Sequence, residues 1–181
     1  MQNKICVFFG NRPAKFIFGF NEEHPDCIKL KNAIKTQVCF LVAEGHTHFI
    51  SGMSRGVDMW AAEAVLEIQK NFPSISLEAA LPCITQASRW TEEQRNRYIV
   101  LLSKCNKLTY VNYHYFDTCK HERNKYMLDK ADTVIAVLNE PLDSKANKAS
   151  SSYATFYAAK KGKRLILINP ETAEIKTPVF V

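Results

Sequence analysis

The sequence predicts an α/β fold, a doubly wound, mainly parallel sheet with helices on both faces, built by one domain over residues 1–181. Three observations predict it. Short continuous apolar runs alternate along the chain with stretches of helical period, the order that builds a parallel sheet with crossover helices. Ile5–Phe9 and Val134–Leu138 are apolar without alternation, as strands covered on both faces must be. Gly10, Gly45, Pro82 and Gly162 fall at the boundaries between runs, where the backbone has to turn.

Taken in order, residues 4–10 read as the first strand, closed by Gly10. Residues 25–43 read as a helix, because Cys27, Leu30, Ile34, Val38, Leu41 and Val42 share one stripe, Pro25 suits the first turn and Gly45 the stop. A short strand follows at 48–51. Residues 57–71 form a helix with Ala61, Ala64, Val65 and Ile68 inward, and 75–81 a third strand ended by Pro82. Thr91 and Gln94 have the spacing of a capping box, which opens a helix whose inner face is Tyr98, Leu101, Leu102 and Cys105. Strand 108–111, helix 121–130 and the run at 132–139 come next, then a polar loop over 140–149. Helix 150–161, stopped by Gly162, and strand 164–169 complete the alternation, and 171–181 reads as a loose strand or arm. Right-handed crossovers leave a Rossmann-like arrangement as the natural topology.

Composition excludes several classes. With 46% apolar and 23% charged residues the chain is neither disordered nor fibrous. No apolar run approaches the ~20 residues of a membrane helix. The N-terminus lacks the pattern of a signal peptide, so the expected location is the cytoplasm. Cys6, Cys27, Cys39 and Cys105 fall on apolar faces, and no Cys-x-x-Cys pair occurs, so reduced buried thiols are expected. His114, Cys119 and His121 lack a second ligand pair, and no metal site is expected. The net charge of +6 is dispersed, either as solvated helix ends or as a surface for phosphates or nucleic acid.

Doubly wound sheets bind ligands beyond the carboxyl ends of their strands. After the first strand, Gly10-Asn11-Arg12-Pro13 is either a tight turn or a close backbone approach with Arg12 gripping a phosphate or carboxylate. After the second, Ser51-Gly52-Met53-Ser54-Arg55-Gly56-Val57-Asp58 is a glycine-bearing loop at a helix start, suited to an anion. It lacks the Lys-Ser/Thr of a Walker loop and the third glycine of a dinucleotide loop. Asp58 either complements the helix dipole or contacts a ligand hydroxyl. Glu63, five residues on, reads better as a surface carboxylate, but it and Asp58 are the only carboxylates that can be named as catalytic candidates. Trp90 and the stretch 113–116 offer stacking rings or packing. Arg123 and Asn124 open a short helix, on which Arg123 is either an exposed helix arginine or lies over the sheet's edge toward the site. Ser150, Ser151, Ser152 and Thr155 either cap a helix or form a second phosphate cradle.

These motifs resemble a known family. Ser51-Gly52-x-x-Arg55-Gly56-Val57-Asp58-x-x-Ala61-Ala62-Glu63 is similar to the signature of the YpsA-like family of uncharacterised proteins, part of the SLOG superfamily that joins the Smf/DprA proteins and the LOG phosphoribohydrolases. Gly10-Asn11-Arg12-Pro13 looks like that family's Gly-His-Arg-Pro turn, with Asn for His. Trp90 matches a family tryptophan. Arg123-Asn124-x-x-Met127, leading to Asp132 and a Val-Ile-Ala-Val strand, matches its late motif. The resemblance spans residues 4 to about 170. It implies a SLOG-type Rossmann-like fold and a pocket for a nucleotide or ADP-ribose-like ligand. One departure stands out. The family's Gly-Gly-Thr after the fifth strand is here Ser151-Ser152 and then Thr155, without glycine where phosphate would meet the backbone. No glutamate follows Ser152 as it does in the LOG enzymes.

Three functions are therefore weighed. The first is a ligand-binding or sensor domain using the residues above, with a homo-oligomer as one form it could take. The second is a nucleotide-processing hydrolase using Asp58 or Glu63. The third is a DprA-like single-stranded DNA binder, with Tyr113–Phe116 and Lys120, Lys125 and Lys130 as its surface.

Overall fold

The computed structural model describes residues 4–139, 142, 145–148 and 150–177. Through these the chain runs β1 (Lys4–Gly10), α1 (Pro25–Ala43), β2 (His46–Ser51), α2 (Val57–Gln69), β3 (Ser76–Leu81), α3 (Glu92–Lys104), β4 (Lys107–Tyr110), α4 (Cys119–Lys130), β5 (Thr133–Val137), α5 (Ser151–Lys160), β6 (Arg164–Ile168) and β7 (Ile175–Lys176). A 3-10 turn at Pro13–Lys15 follows β1. The strands form one sheet in the order β4-β3-β2-β1-β5-β6-β7. All neighbours are parallel except β7, which pairs antiparallel with β6.

This order follows from the strand sequences. Cys6–Phe9 and Thr133–Val137 are wholly buried, and their strands lie side by side at the centre with Val7 opposite Val134. Alternate residues of β1 face opposite sides. Cys6 and Phe8 enter a core covered by α1, α2 and α3, with Leu30, Ile34, Val65 and Leu101. Val7 and Phe9 enter a second core covered by α4 and α5, with Met127, Leu128, Ala154 and Ala158. The chain moves outward from β1 to β4, then returns to place β5 on the other flank of β1. Strand order thus reverses between β1 and β5, and the loops leaving their carboxyl ends diverge there.

The helix signals act as the spacing suggests. Pro25 opens α1 behind His24, whose Nδ1 accepts from the Asp26 amide at 3.2 Å. The Gln94 amide donates to Thr91 Oγ1 at 3.3 Å, and the Thr91 amide donates to Gln94 Oε1 at 3.4 Å, which completes the capping box. Several boundaries shift. β2 begins at His46, because the strand carries a buried histidine that hydrogen-bonds the Leu41 carbonyl at 3.1 Å and Thr133 Oγ1 at 3.0 Å. α4 begins two residues earlier than its apolar pattern indicates. The expected arm contributes β7, and its last residues, 178–181, lie outside the described residues, as do 140, 141, 143, 144 and 149 of the polar loop. One expectation is corrected: Cys39 is exposed, since it sits on the outer flank of α1 beside the buried Val38.

The sheet also holds one buried carboxylate. Glu78 on β3, 1% exposed, accepts from Tyr126 OH (2.5 Å), Thr109 Oγ1 (2.7 Å), His48 Nε2 (3.0 Å) and Lys107 Nζ (3.3 Å). Burial alone would push this carboxyl up, but the bonds from His48, Tyr126 and Thr109 and the Lys107 charge hold it well below the usual range.

Candidate functional site

The loops after β1 and β2 are glycine-bearing because they pack on each other and on α4. A Cβ on Gly10 would lie 2.4 Å from Val57 Cβ, the first residue of α2. Gly56 has φ +90°, a region closed to ordinary side chains, and its Cβ would lie 2.7 Å from Pro13 Cδ. Pro13 and Val57 thereby clamp the two loops together. In each case the space a glycine leaves is taken by the chain itself.

Gly52 makes room for a guanidinium. Its Cβ would lie 1.9 Å from Arg123 Nη1 and 2.8 Å from Asp58 Oδ2. Arg123 comes from α4, is buried, and donates to the Gly52 carbonyl at 2.5 Å and to Asn124 Oδ1 at 3.0 Å. Its Nη1 faces Asp58 Oδ2 at 4.0 Å. Asp58, in the first turn of α2, also accepts from the Ser54 amide at 3.2 Å. Ser51 Oγ donates to the Asp58 carbonyl at 2.7 Å and accepts from the Met53 amide at 3.1 Å. Gln86 Nε2 donates to the carbonyls of Gly52 (3.1 Å) and Met53 (2.8 Å), tying in the loop after β3. Met53 itself has φ +53° and is fully buried, a strained conformation that this network holds.

The charges here are unequal. Burial pushes the Asp58 carboxyl up, against the pull of Arg123, the Ser54 hydrogen bonds and Arg12. Burial pushes Arg123 down, against the pull of Asp58, and a guanidinium so far above neutrality stays cationic. Lys120 lies on the same side of α4 as Arg123, one turn before it. Burial, then Arg12 and Arg123, push its ammonium down. Among the described residues, neither Arg12 nor Lys120 has a carboxylate partner. Arg123 and Arg12 thus both act on Asp58, and Lys120 lies close enough to both arginines to feel their charge.

Other expected residues serve around this centre. Asn11, just past β1, is buried and tied to the end of β5; its amide donates to the Val137 carbonyl at 3.2 Å, and its Nδ2 to Asn139 Oδ1 at 3.1 Å. Ser151 Oγ donates to the Gly10 carbonyl at 2.7 Å. Ser150 is the N-cap of α5, accepting from the Tyr153 amide at 3.1 Å. Thr155 Oγ1 donates back to the Ser151 carbonyl at 2.8 Å, and Ser152 and Asn124 are buried beside them. Arg55 lies between the rings of Phe20 and Trp90, 5.4 Å from each centroid, and donates to Gln94 Oε1 at 3.0 Å. Trp90 and Arg55 thus form one stacked unit at the rim.

Glu63 stands apart. Arg97 clasps it with two bonds of 2.7 and 2.8 Å, and also clasps Glu22. Glu22 further accepts from Trp60 Nε1 at 2.8 Å and from Lys31 at 2.5 Å. Burial would raise the Glu22 carboxyl, but Arg97, Lys31 and Trp60 lower it to about 2. Glu63 belongs to this network joining the loop after β1 with α1, α2 and α3.

The sequence marked Lys120 only as part of a nucleic-acid surface and Pro13 only as the end of a turn, and it did not mark Asn139 or Gln86. The three-residue interval from Lys120 to Arg123 puts both on one helix side, and Asn139 follows the central strand β5. Both signals were available. Gln86 and Pro13 act through contacts that no local pattern marks.

Comparisons with known proteins bear on the family and the fold. The YpsA family model, described as the YspA SLOG family, matches residues 6–173. A UPF0398 protein of Bacillus thuringiensis (strain Al Hakam) is 28% identical over 162 residues, 88% of this chain and 85% of that protein. DNA processing protein A from Helicobacter pylori, whose structure is described for its single-stranded DNA binding mode, superposes with a TM-score of 0.55 at 19% identity over 96% of this chain and 68% of that one. DNA processing protein A (DprA) from Streptococcus pneumoniae gives a TM-score of 0.54 at 13% identity over 92% of this chain. This chain spans 50% of that longer protein, and at such identities the likeness is one of fold. No described helix is long and apolar enough to cross a membrane. With the matched region running through both glycine loops, the Arg123 helix and the strands between them, the chain belongs to the YpsA SLOG family.

Proposed function

We propose that this protein binds a nucleotide or nucleotide-derived ligand, ADP-ribose-like in size, at the carboxyl ends of the strands. Arg12 and Lys120 grip the phosphates, the Asn11–Asn139 pair meets the sugar in the crevice between β1 and β5, and buried Arg123 supplies positive potential from behind. The observation that carries this reading is the buried Arg123–Asp58 pair beside Gly52, with Lys120 one turn before Arg123 on α4 and Arg12 close by in the loop after β1, at the point where strand order reverses. Cations held close to one another are stabilised by an anion placed between them.

Binding is favoured over turnover because both candidate carboxylates are engaged. Asp58 holds Arg123 and the Ser54 amide, and Glu63 holds Arg97. A hydrolase needs one of them poised against a water. Thermal shift with a panel of nucleotides, dinucleotides and ADP-ribose tests the proposal. A rise in Tm with a panel member, lost in Arg12→Ala/Lys120→Ala, is expected. Absence of any shift at millimolar ligand, from folded protein, refutes it.

A further inference from the structure

Beyond the strand ends, α4 and α5 enclose a groove of different character. Its upper lobe, of about 190 Å³, is lined by His121, Lys125 and Leu128 of α4, Tyr153 and Tyr157 of α5, and Lys148 at its mouth. A lower lobe of about 170 Å³ continues past Leu128 and Tyr157 to Lys161 and Lys163, with Asp129 as the one carboxylate among its described lining. His121, Lys125 and Leu128 recur at helical spacing on α4, and Tyr153 and Tyr157 stand one turn apart on α5, so each helix presents one continuous wall. The floor is apolar, of Leu128, Ala154 and Ala158.

The walls suit a particular chemistry. Tyr153 and Tyr157 are half-buried, with a separation along the axis of about 6 Å. The His121 ring meets Tyr153 edge-on at 6.1 Å, and Lys161 Nζ lies 5.4 Å from the Tyr157 centroid. His121 Nδ1 hydrogen-bonds the Lys148 carbonyl at 3.1 Å, which brings that lysine's segment to the upper mouth. Two rings in succession, with Lys125 and Lys148 at one end and Lys161 and Lys163 at the other, form a ladder of flat and cationic groups. A single strand of nucleic acid repeats the complementary ladder of bases and phosphates, and such strands are bound by rings under the bases and lysines along the backbone.

We propose that the α4–α5 groove is a second site, separate from the strand ends, that takes a short stretch of single-stranded nucleic acid. Successive bases lie against Tyr153 and Tyr157, and the flanking phosphates meet lysines at the two mouths. Lys120 and Arg123 of the same helix serve the other site, so the two can be told apart by substitution.

Fluorescence anisotropy of the full chain with a labelled oligo-dT of about a dozen nucleotides at about 50 mM salt tests this. Tyr153→Ala/Tyr157→Ala is expected to weaken binding at least about 10-fold. Lys125→Ala/Lys161→Ala, at exposed positions that leave the fold intact, is expected to flatten the slope of log affinity against log salt by about 0.7 per lysine. Arg12→Ala/Lys120→Ala is expected to leave strand binding within about 2-fold. The proposal is overturned by failure of the unaltered protein to bind, by binding that survives both groove variants but vanishes with Arg12→Ala/Lys120→Ala, or by free dTMP binding as tightly as the oligonucleotide.

Discussion

Gly52→Ala gives a sharp test of how the strand-end loop is built. A Cβ there falls 1.9 Å from Arg123 Nη1 and 2.5 Å from its Cζ. An exposed arginine would swing away at little cost. This one is buried and fixed by the Gly52 carbonyl, Asn124 and Asp58, so the new methyl must expel it. Expulsion leaves Asp58 as a buried carboxylate without its countercharge, which costs about 3–5 kcal/mol. It also removes a donor from the Gly52 carbonyl, already included in that range when the arginine is truncated instead. Gly52→Ala and Arg123→Ala should therefore each destabilise by about 4 kcal/mol, and the double variant by little more than either alone. For a chain of this length that is a fall in Tm of about 10 °C or more. Urea unfolding of the four proteins in the cycle measures it. Additive losses would refute the account, since they would mean that the methyl and the guanidinium do not compete for one space.

Three further outcomes follow from the charges. Arg12→Ala/Lys120→Ala should leave Tm unchanged or slightly raised while abolishing the response to nucleotides, because like charges are relieved; a large fall in Tm would show a structural role instead. Glu78→Ala should cost about 3–5 kcal/mol in urea unfolding, because His48, Thr109 and Tyr126 lose a shared acceptor. The Glu22 carboxyl, lowered to about 2, contributes stability that is complete above its unfolded value of about 4.3 and is lost as pH falls toward 2. Glu22→Gln should flatten Tm against pH over that interval, and an unchanged slope would contradict it.

The fold was legible where one residue pattern admits one element. Cys6–Phe9 and Val134–Val137, short continuous apolar runs between turn residues, read as strands buried on both faces, and their position at the sheet centre agrees. α4 hid its first turn because Thr118 makes no side-chain capping bond, and of the expected arm only two exposed residues pair as β7, too few to fix its bounds from sequence. The glycine loops were legible as places where the backbone must be bare. What bares them was not, because Val57, Pro13 and Arg123 arrive from other parts of the chain. Glu63 could pass for a site carboxylate in the sequence because Arg97, its partner, lies on another helix. The missing glycine after β5 finds its explanation in Ser150 and Ser151, which cap α5 and hold the Gly10 carbonyl.

On the proposed function, a phosphate-bearing ligand binds between Arg12 and Lys120. Isothermal titration of ADP-ribose and the common nucleotides into the unaltered protein and into Arg12→Ala/Lys120→Ala tests it most directly. One of these ligands should bind the unaltered protein and lose at least about 100-fold in affinity in the double variant, as expected for two charge-assisted contacts. Equal affinity for both proteins would contradict the assignment of these cations to the ligand.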